Sequence, residues 1–372
     1  MISRTKVVSI VLFLSVSILL VSCQKKKAEW KGTIEEVNGV TVVKNPDEPI
    51  YGENVFGLEE ELSIGEAEGR EEFMFSNIRN IAVDNEERIF ILDSKEKKII
   101  VFDRNGRFIK TFGRIGQGPG EFQIPSSVSY SSKDEIMVLD VGRLLFFSSD
   151  GEFKQSIPTV KARLGREANI DSEGNIFSLV IVRGEENPRY ELQKFDPELN
   201  YLHSYGSSPL PNVRRDGYNP FFPVLRWDII KSNHVICGYP ENYEIEIFND
   251  GGNLTRKIIK EYIPLEITKE EIDEETKRVP PALKSKISMP KSHTAYYWFI
   301  ADDEGRIFVQ IWERGENGEG YYYDIFDSEG KYIAKIPLKA TPRVLKKNKL
   351  YTIEKDKEGF QMVKRYKITW NM

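Results

Sequence analysis

Three arginines, Arg79, Arg166 and Arg226, stand at one recurring place in the chain, five residues ahead of a polar turn, and Arg343 stands close to that place before another turn. The turns are marked by Asp84, Asp171, Lys231 and Lys347; Ser126 and Tyr297 hold the equivalent place before Ser131 and Asp302. A guanidinium is a planar, permanently charged fork of donors, so several of them converging would grip an anionic or sugar-like ligand through paired hydrogen bonds. Trp227, Tyr297, Trp298 and His293 lie close in sequence and would add stacking surface. The competing reading is that each arginine pairs with a carboxylate of a neighbouring unit, such as Glu121 or Glu167, and only seals the fold.

Other chemistry is thinly represented. Asp93 and Asp140 hold matching positions after a strand, where a ring of carboxylates would suit a divalent metal; the match fails in the next unit, near Leu179, so hydrogen bonding to the local turn accounts for them better. His203, His234 and His293 are scattered without ligand spacing. There is no GxSxG elbow, P-loop or HExxH motif, and Gly116–Gly120 (GQGPG) precedes no helix that could hold a phosphate. The acidic runs at Asp84, Asp171 and Asp302 have the composition of tight turns and lack the ligand spacing of a calcium loop. No cofactor is expected.

The elements that must position the arginines are strands. Ile81 to Gly113 reads as four short strands, Ile81–Val83, Ile89–Leu92, Ile99–Phe102 and Phe108–Phe112, punctuated by polar turns. One such sheet cannot bury both faces and needs neighbours like itself. The pattern returns with turn marks at Asp84, Ser131, Asp171, Lys231, Asp302 and Lys347, spacings of 47, 40, 60, 71 and 45 residues. Four-stranded units at such intervals indicate propeller blades, and the two long spacings locate insertions. The sixth unit supplies only three strands; the segment Leu58–Gly65 would complete it and remove the open edges of the ring. The expected fold is all-β, a six-bladed propeller closed by an N-terminal strand. One short helical insertion is expected between blades 4 and 5, where Thr268 and Glu271 form a capping box and Pro280-Pro281 ends the helix.

The joint FGRIGQGPGEFQIPSSV, Phe112 to Val128, with IFILD and IIVFDRNGRFI, resembles NHL-repeat six-bladed propellers, in particular bacterial lipoproteins of that type. The resemblance implies the fold and says little about activity, because one fold hosts many functions. Two readings follow. The first is a non-catalytic ligand- or protein-binding module working through the inter-blade loop face and channel mouth. The alternative is a metal-dependent propeller enzyme similar to lactonases or lyases, and a further variant of the first has a protein partner docking on Tyr218–Trp227.

The start of the chain reads as an export signal over residues 1–22: Arg4 and Lys6, an apolar run, then Leu20-Val21-Ser22-Cys23. LVSC resembles the bacterial lipobox, which implies lipidation of Cys23, a membrane anchor and a periplasmic location, with Gln24 favouring the outer membrane. Residues 23–57 would then be a tether with an accessory hairpin at Asn38-Gly39, and 58–372 the propeller. Without the signal, 51 basic residues face 58 acidic ones, a net charge near −7 that argues against a nucleic-acid partner. Cys237 would be the one remaining cysteine, a small buried apolar residue, and the expected state is a monomer.

Overall fold

The computed structural model describes residues 29–183, 188–230 and 233–371. The export signal, Cys23 and the turn mark at Lys231 lie outside the described residues. Six antiparallel four-stranded arrays stand in a ring. Blade 1 begins at Ile78–Val83, blade 2 at Ser127–Ser131, blade 3 at Ala168–Ile170, blade 4 at Arg226–Ile230, blade 5 at Trp298–Ala301 and blade 6 at Pro342–Lys346.

Burial within each blade follows radial position. All five residues of the second strand of blade 1, Ile89–Asp93, are buried, whereas its outer strand Phe108–Phe112 is mostly exposed. A strand with blades on both sides reads as a near-continuous apolar run, because neither of its faces meets water. The core is accordingly divided into six apolar clusters, one per seam between blades. Phe90 and Val101 of blade 1 meet Val138 and Phe147 of blade 2, and Phe177 and Leu192 of blade 3 meet Val235 and Cys237 of blade 4. Cys237 is a buried free thiol whose pKa is raised by burial.

Closure is as the strand count requires. Phe56–Ile64 pairs antiparallel with Gln361–Trp370, from Phe56 opposite Trp370 to Ile64 opposite Val363, and becomes the outer strand of blade 6. Arg365 ties that joint to blade 1: its Nε donates to Glu61 Oε2 (3.1 Å) and its Nη1 to the Arg104 carbonyl (2.6 Å).

The hairpin Thr33–Val37 and Val40–Asn45 does more than rest on the ring. Its second strand pairs in parallel with Leu254–Lys260, so blade 4 becomes a six-stranded sheet. Asn45 is the clamp. Its Oδ1 accepts from Trp30 Nε1 (3.0 Å) and the Tyr332 amide (2.8 Å), while its Nδ2 donates to the carbonyls of Ile259 (3.3 Å) and Gly330 (2.9 Å). One side chain thus joins the hairpin to blades 4 and 5.

Among the described residues, α-helix is confined to the inter-blade crossings. Lys269–Arg278 carries the expected capping box, Thr268 Oγ1 accepting from the Glu271 amide and the Glu271 carboxylate accepting from the Thr268 amide. Two short helices exceed the single helical insertion expected. Pro281–Lys284 restarts after the stop, because proline is well suited to a first helical turn; Val213–Asp216, capped by Asn212, sits in the crossing from blade 3 to blade 4. No helix among the described residues is long and apolar enough to cross a membrane.

Ile64 is buried at the seam of blades 6 and 1, whereas Ile34 in the added hairpin is half exposed. Ile64→Ala should therefore lower the unfolding free energy by about 2–4 kcal/mol, and Ile34→Ala by under about 0.5 kcal/mol, in urea denaturation of the two variants.

Candidate functional site

The six innermost strands enclose a central channel of about 1280 Å³. Its wall is built from Asn80–Val83, Val128–Tyr130, Arg166, Glu167 and Asn169, Arg226–Ile229, Trp298–Ala301 and Arg343–Lys346, one stretch per blade. In a β-strand alternate side chains face opposite sides, so each innermost strand presents one set to the preceding blade and one to the next. Blade 4 shows this clearly. Trp227 and Ile229 pack toward blade 3, while Arg226 and Asp228 bond to blade 5.

The structure brings Arg166, Arg226, Arg343, Trp227 and Trp298 to the channel and leaves three expected residues out. Arg79 is exposed outside the wall. It is the extra residue of a β-bulge, lying between Ile78 opposite Asp93 and Asn80 opposite Leu92, so Asn80 takes the wall position in its place. Tyr297 lies beside the wall, with the Arg226 guanidinium 5.3 Å from its ring centroid and Arg226 Nε donating to its carbonyl (2.9 Å). This contact holds Arg226 in the seam with one of its five donors; burial lowers its pKa, opposed by Tyr297 and Glu167.

His293 belongs to the insertion between blades 4 and 5. It is buried, stacks on Trp312 at 4.1 Å, meets the edge of Phe221 and places Nε2 3.2 Å from Glu271 Oε2. Burial pulls its pKa below the usual histidine value although Glu271 pulls the other way. Phe221, a proposed docking residue, is half-buried in the same aromatic stack, so the Tyr218–Trp227 segment serves first to seat the insertion.

Sealing of the seams is carried also at the opposite end. There, in or beside the turns that end the first and third strands, each seam has a cationic side chain reaching into the next blade. Arg88 of blade 1 lies 3.4 Å from Asp150, Lys133 of blade 2 donates to the Glu173 carbonyl, and Lys194 of blade 3 lies 2.5 Å from Asp250. Arg256 of blade 4 donates to the Ser328 carbonyl (2.6 Å), Arg306 of blade 5 to Asn348 Oδ1 (3.0 Å), and Lys347 of blade 6 to the Asn85 carbonyl (2.5 Å). Glu121 is held locally by Arg114 and the Gly118 amide and meets none of the mouth arginines.

Sequence reasoning missed Arg163 and Arg183, which also line the channel. Arg183 continues the face Phe177, Leu179, Ile181 with period two, a legible signal; Arg163 sits in a crossing at φ +49°, where no strand register reaches. Lys346 lines the wall as well and donates to the Val83 carbonyl (3.0 Å). Among the described wall residues, Arg163, Arg166, Arg183, Arg226, Arg343 and Lys346 therefore face two carboxylates, Glu167 and Asp228. Asp93 and Asp140 lie off the wall. Asp93 accepts from four backbone amides, and Asp140 from those of Gln123 and Ile124 and from Arg143, which ties each turn to the crossing beside it.

The chain matches the model of the domain of unknown function DUF4934 over residues 68–322. It belongs to that family. Two solved structures give the DUF4934 chain its fold neighbours. One is a protein of Bacteroides fragilis NCTC 9343 described as exported, with TM-score 0.57 and 13% identity over 88% of this chain and 99% of that one. The other is a DUF4221 member from Bacteroides vulgatus, with TM-score 0.52 and 14% identity over 86% and 99%. At such identities the likeness establishes the fold alone. A curated relative, the protein brain tumor of Drosophila melanogaster, is 24% identical over 141 residues, 37% of this chain and 13% of that much longer protein.

Asp228 is a wall carboxylate with a raised pKa. Burial pushes its carboxyl up to about 6, although the amides of Ala301 (3.0 Å) and Ile229 (2.8 Å) both donate to it. Because the folded pKa lies above that of a free carboxyl, the contribution to stability is full below about pH 4 and is lost as pH rises through about 6. Asp228→Asn should thus gain on the wild type by on the order of 2–3 kcal/mol between pH 4 and pH 8, read as the change in the stability difference in urea denaturation at the two pH values.

Proposed function

We propose that this DUF4934 protein is a non-catalytic binding module whose channel takes an anionic or sugar-like ligand. The observation that carries the reading is the charge balance of the channel wall: six cationic side chains against two carboxylates, in a chain whose overall charge is negative. A concave, low-dielectric wall of one sign concentrates counter-charge well beyond what isolated surface charges do. Arg166 and Arg343 are exposed on it, and Trp227 and Trp298 supply flat apolar surface between them. The same balance weighs against a metal-dependent lactonase- or lyase-like activity here. A divalent cation needs several oxygen donors, and of the two carboxylates present Asp228 is already engaged by two amides.

The compartment is part of the proposal. The module is held on the periplasmic side of a bacterial envelope, at the outer membrane, by lipid on Cys23, with residues 25–31 as tether, and acts as a monomer of the NHL-repeat type. The LVSC sequence and the joint from Phe112 to Val128 support this. Cys23→Ala should move the protein from the membrane pellet to the soluble fraction and abolish incorporation of labelled palmitate in the expressing bacterium.

Calorimetric titration with inorganic pyrophosphate tests the channel. Arg166→Ala with Arg343→Ala should weaken binding by at least about a hundredfold, since each charge-assisted contact contributes about 1.5–3 kcal/mol, and leave the melting temperature within about 2 °C. Arg79→Ala, outside the wall, should bind as the wild type does. Unchanged binding in the double variant, or a collapse of its melting temperature, would contradict the reading.

A further inference from the structure

The channel is not equally closed on all sides. The innermost strands of five neighbouring pairs of blades pack against each other, but those of blades 3 and 4 hardly meet. The channel extends outward through that gap, where Leu179, Ile181 and Tyr190 of blade 3 face Trp227 of blade 4. Among the described residues, no other blade contributes residues of its second or third strand to the wall.

Three observations give the gap the form of a slot. The blade 3 face toward blade 4 opens progressively: Phe177 is fully buried, Leu179 half-buried and Ile181 38% exposed. At the far end the two blades are bridged, Ser172 Oγ donating to Asn233 Oδ1 (2.8 Å) and Lys194 reaching Asp250, beside a separate cavity of about 310 Å³ lined by Ser172 and Asn233. Its walls are apolar or aromatic, and Arg166 and Arg183 line the same channel beside them. The short first strand of blade 3, Ala168–Ile170, is what leaves the gap: three residues cannot cover the five-residue strand Arg226–Ile230 beside it.

We infer that this slot is the specificity pocket of the site and receives a flat apolar arm of the bound anion. The inference rests on the anionic reading of the channel and adds the second half of the ligand. The ligand class is an organic anion, a phosphate or carboxylate group joined to a planar or short aliphatic body, held with its charged end among the arginines and its body between Trp227 and Leu179. A bare inorganic anion or a fully hydroxylated sugar would leave the slot wet.

The test uses 2-naphthyl phosphate, inorganic phosphate and 2-naphthol as probes, titrated by calorimetry into the protein lacking only its export signal and lipid. The readout is the ratio of dissociation constants for phosphate and naphthyl phosphate. Burying one face of a bicyclic ring is expected to make that ratio about ten or more in the wild type. Ile181→Trp and Leu179→Trp fill the slot and should bring it close to one. Ile181 is partly exposed, so its variant decides if Leu179→Trp does not fold. A wild-type ratio near one, or a ratio that neither tryptophan variant lowers, overturns the slot while leaving the arginine mouth intact. Binding of 2-naphthol as tight as that of naphthyl phosphate removes the charged end from the ligand and overturns the inference, and failure of both phosphates to bind overturns the mouth reading with it.

Discussion

No blade of this protein can shield its own two faces, and everything else follows from how that is resolved. Each sheet borrows its neighbours as cover, so the apolar clusters lie in the seams and the ring must close. Closure joins residues about 300 apart in sequence, Phe56–Ile64 with Gln361–Trp370, and leaves no first or last blade with an open edge. Arg365 then carries the joint into blade 1 through Glu61 and the Arg104 carbonyl. A ring closed this way fixes six innermost strands around one axis, which is what brings residues as distant as Arg166 and Arg343 to one channel.

The two ends of the ring use positive charge differently. At the end of the tight turns, Arg88, Lys133, Lys194, Arg256, Arg306 and Lys347 each reach across a seam to an oxygen of the next blade, so their charge is spent on holding the ring. At the mouth, Arg166 and Arg343 are exposed on the channel wall and Arg226 gives one donor to the Tyr297 carbonyl. The turn aspartates complete the division: Asp84, Asp171 and Asp302 accept their own turn amides, which shapes the turns that the cationic stitches then reach.

Much of this was legible in the sequence, and what was not has definite physical causes. The blade count and the closing strand followed from short apolar runs and turn residues, because a strand buried on both sides cannot hide its composition. Arg166 and Arg226 could be placed on the channel by counting back from a turn, Arg343 lies one residue from the counted place, and Trp227 and Trp298 directly follow counted places. Counting failed at Arg79 because a bulge adds a residue without leaving a mark in composition. Nearness in sequence misled at His293 because the insertion folds on itself, with Glu271 and Trp312 supplying contacts that no strand register encodes. The parallel attachment of the hairpin to blade 4 and the fourfold bonding of Asn45 are long-range pairings, decided by which edge was left open. The gap between blades 3 and 4 depends on a first strand of three residues, a boundary that composition alone leaves undefined.

The central claim is that one end of the ring axis is an anion site and the other a set of structural stitches. Anomalous diffraction from crystals soaked in bromide or tungstate locates bound anions directly. The account predicts ordered anions in the channel within hydrogen-bonding distance of Arg166 or Arg343. Anions found only among the seam-crossing residues such as Arg88 and Arg306, with the channel holding none, would contradict it.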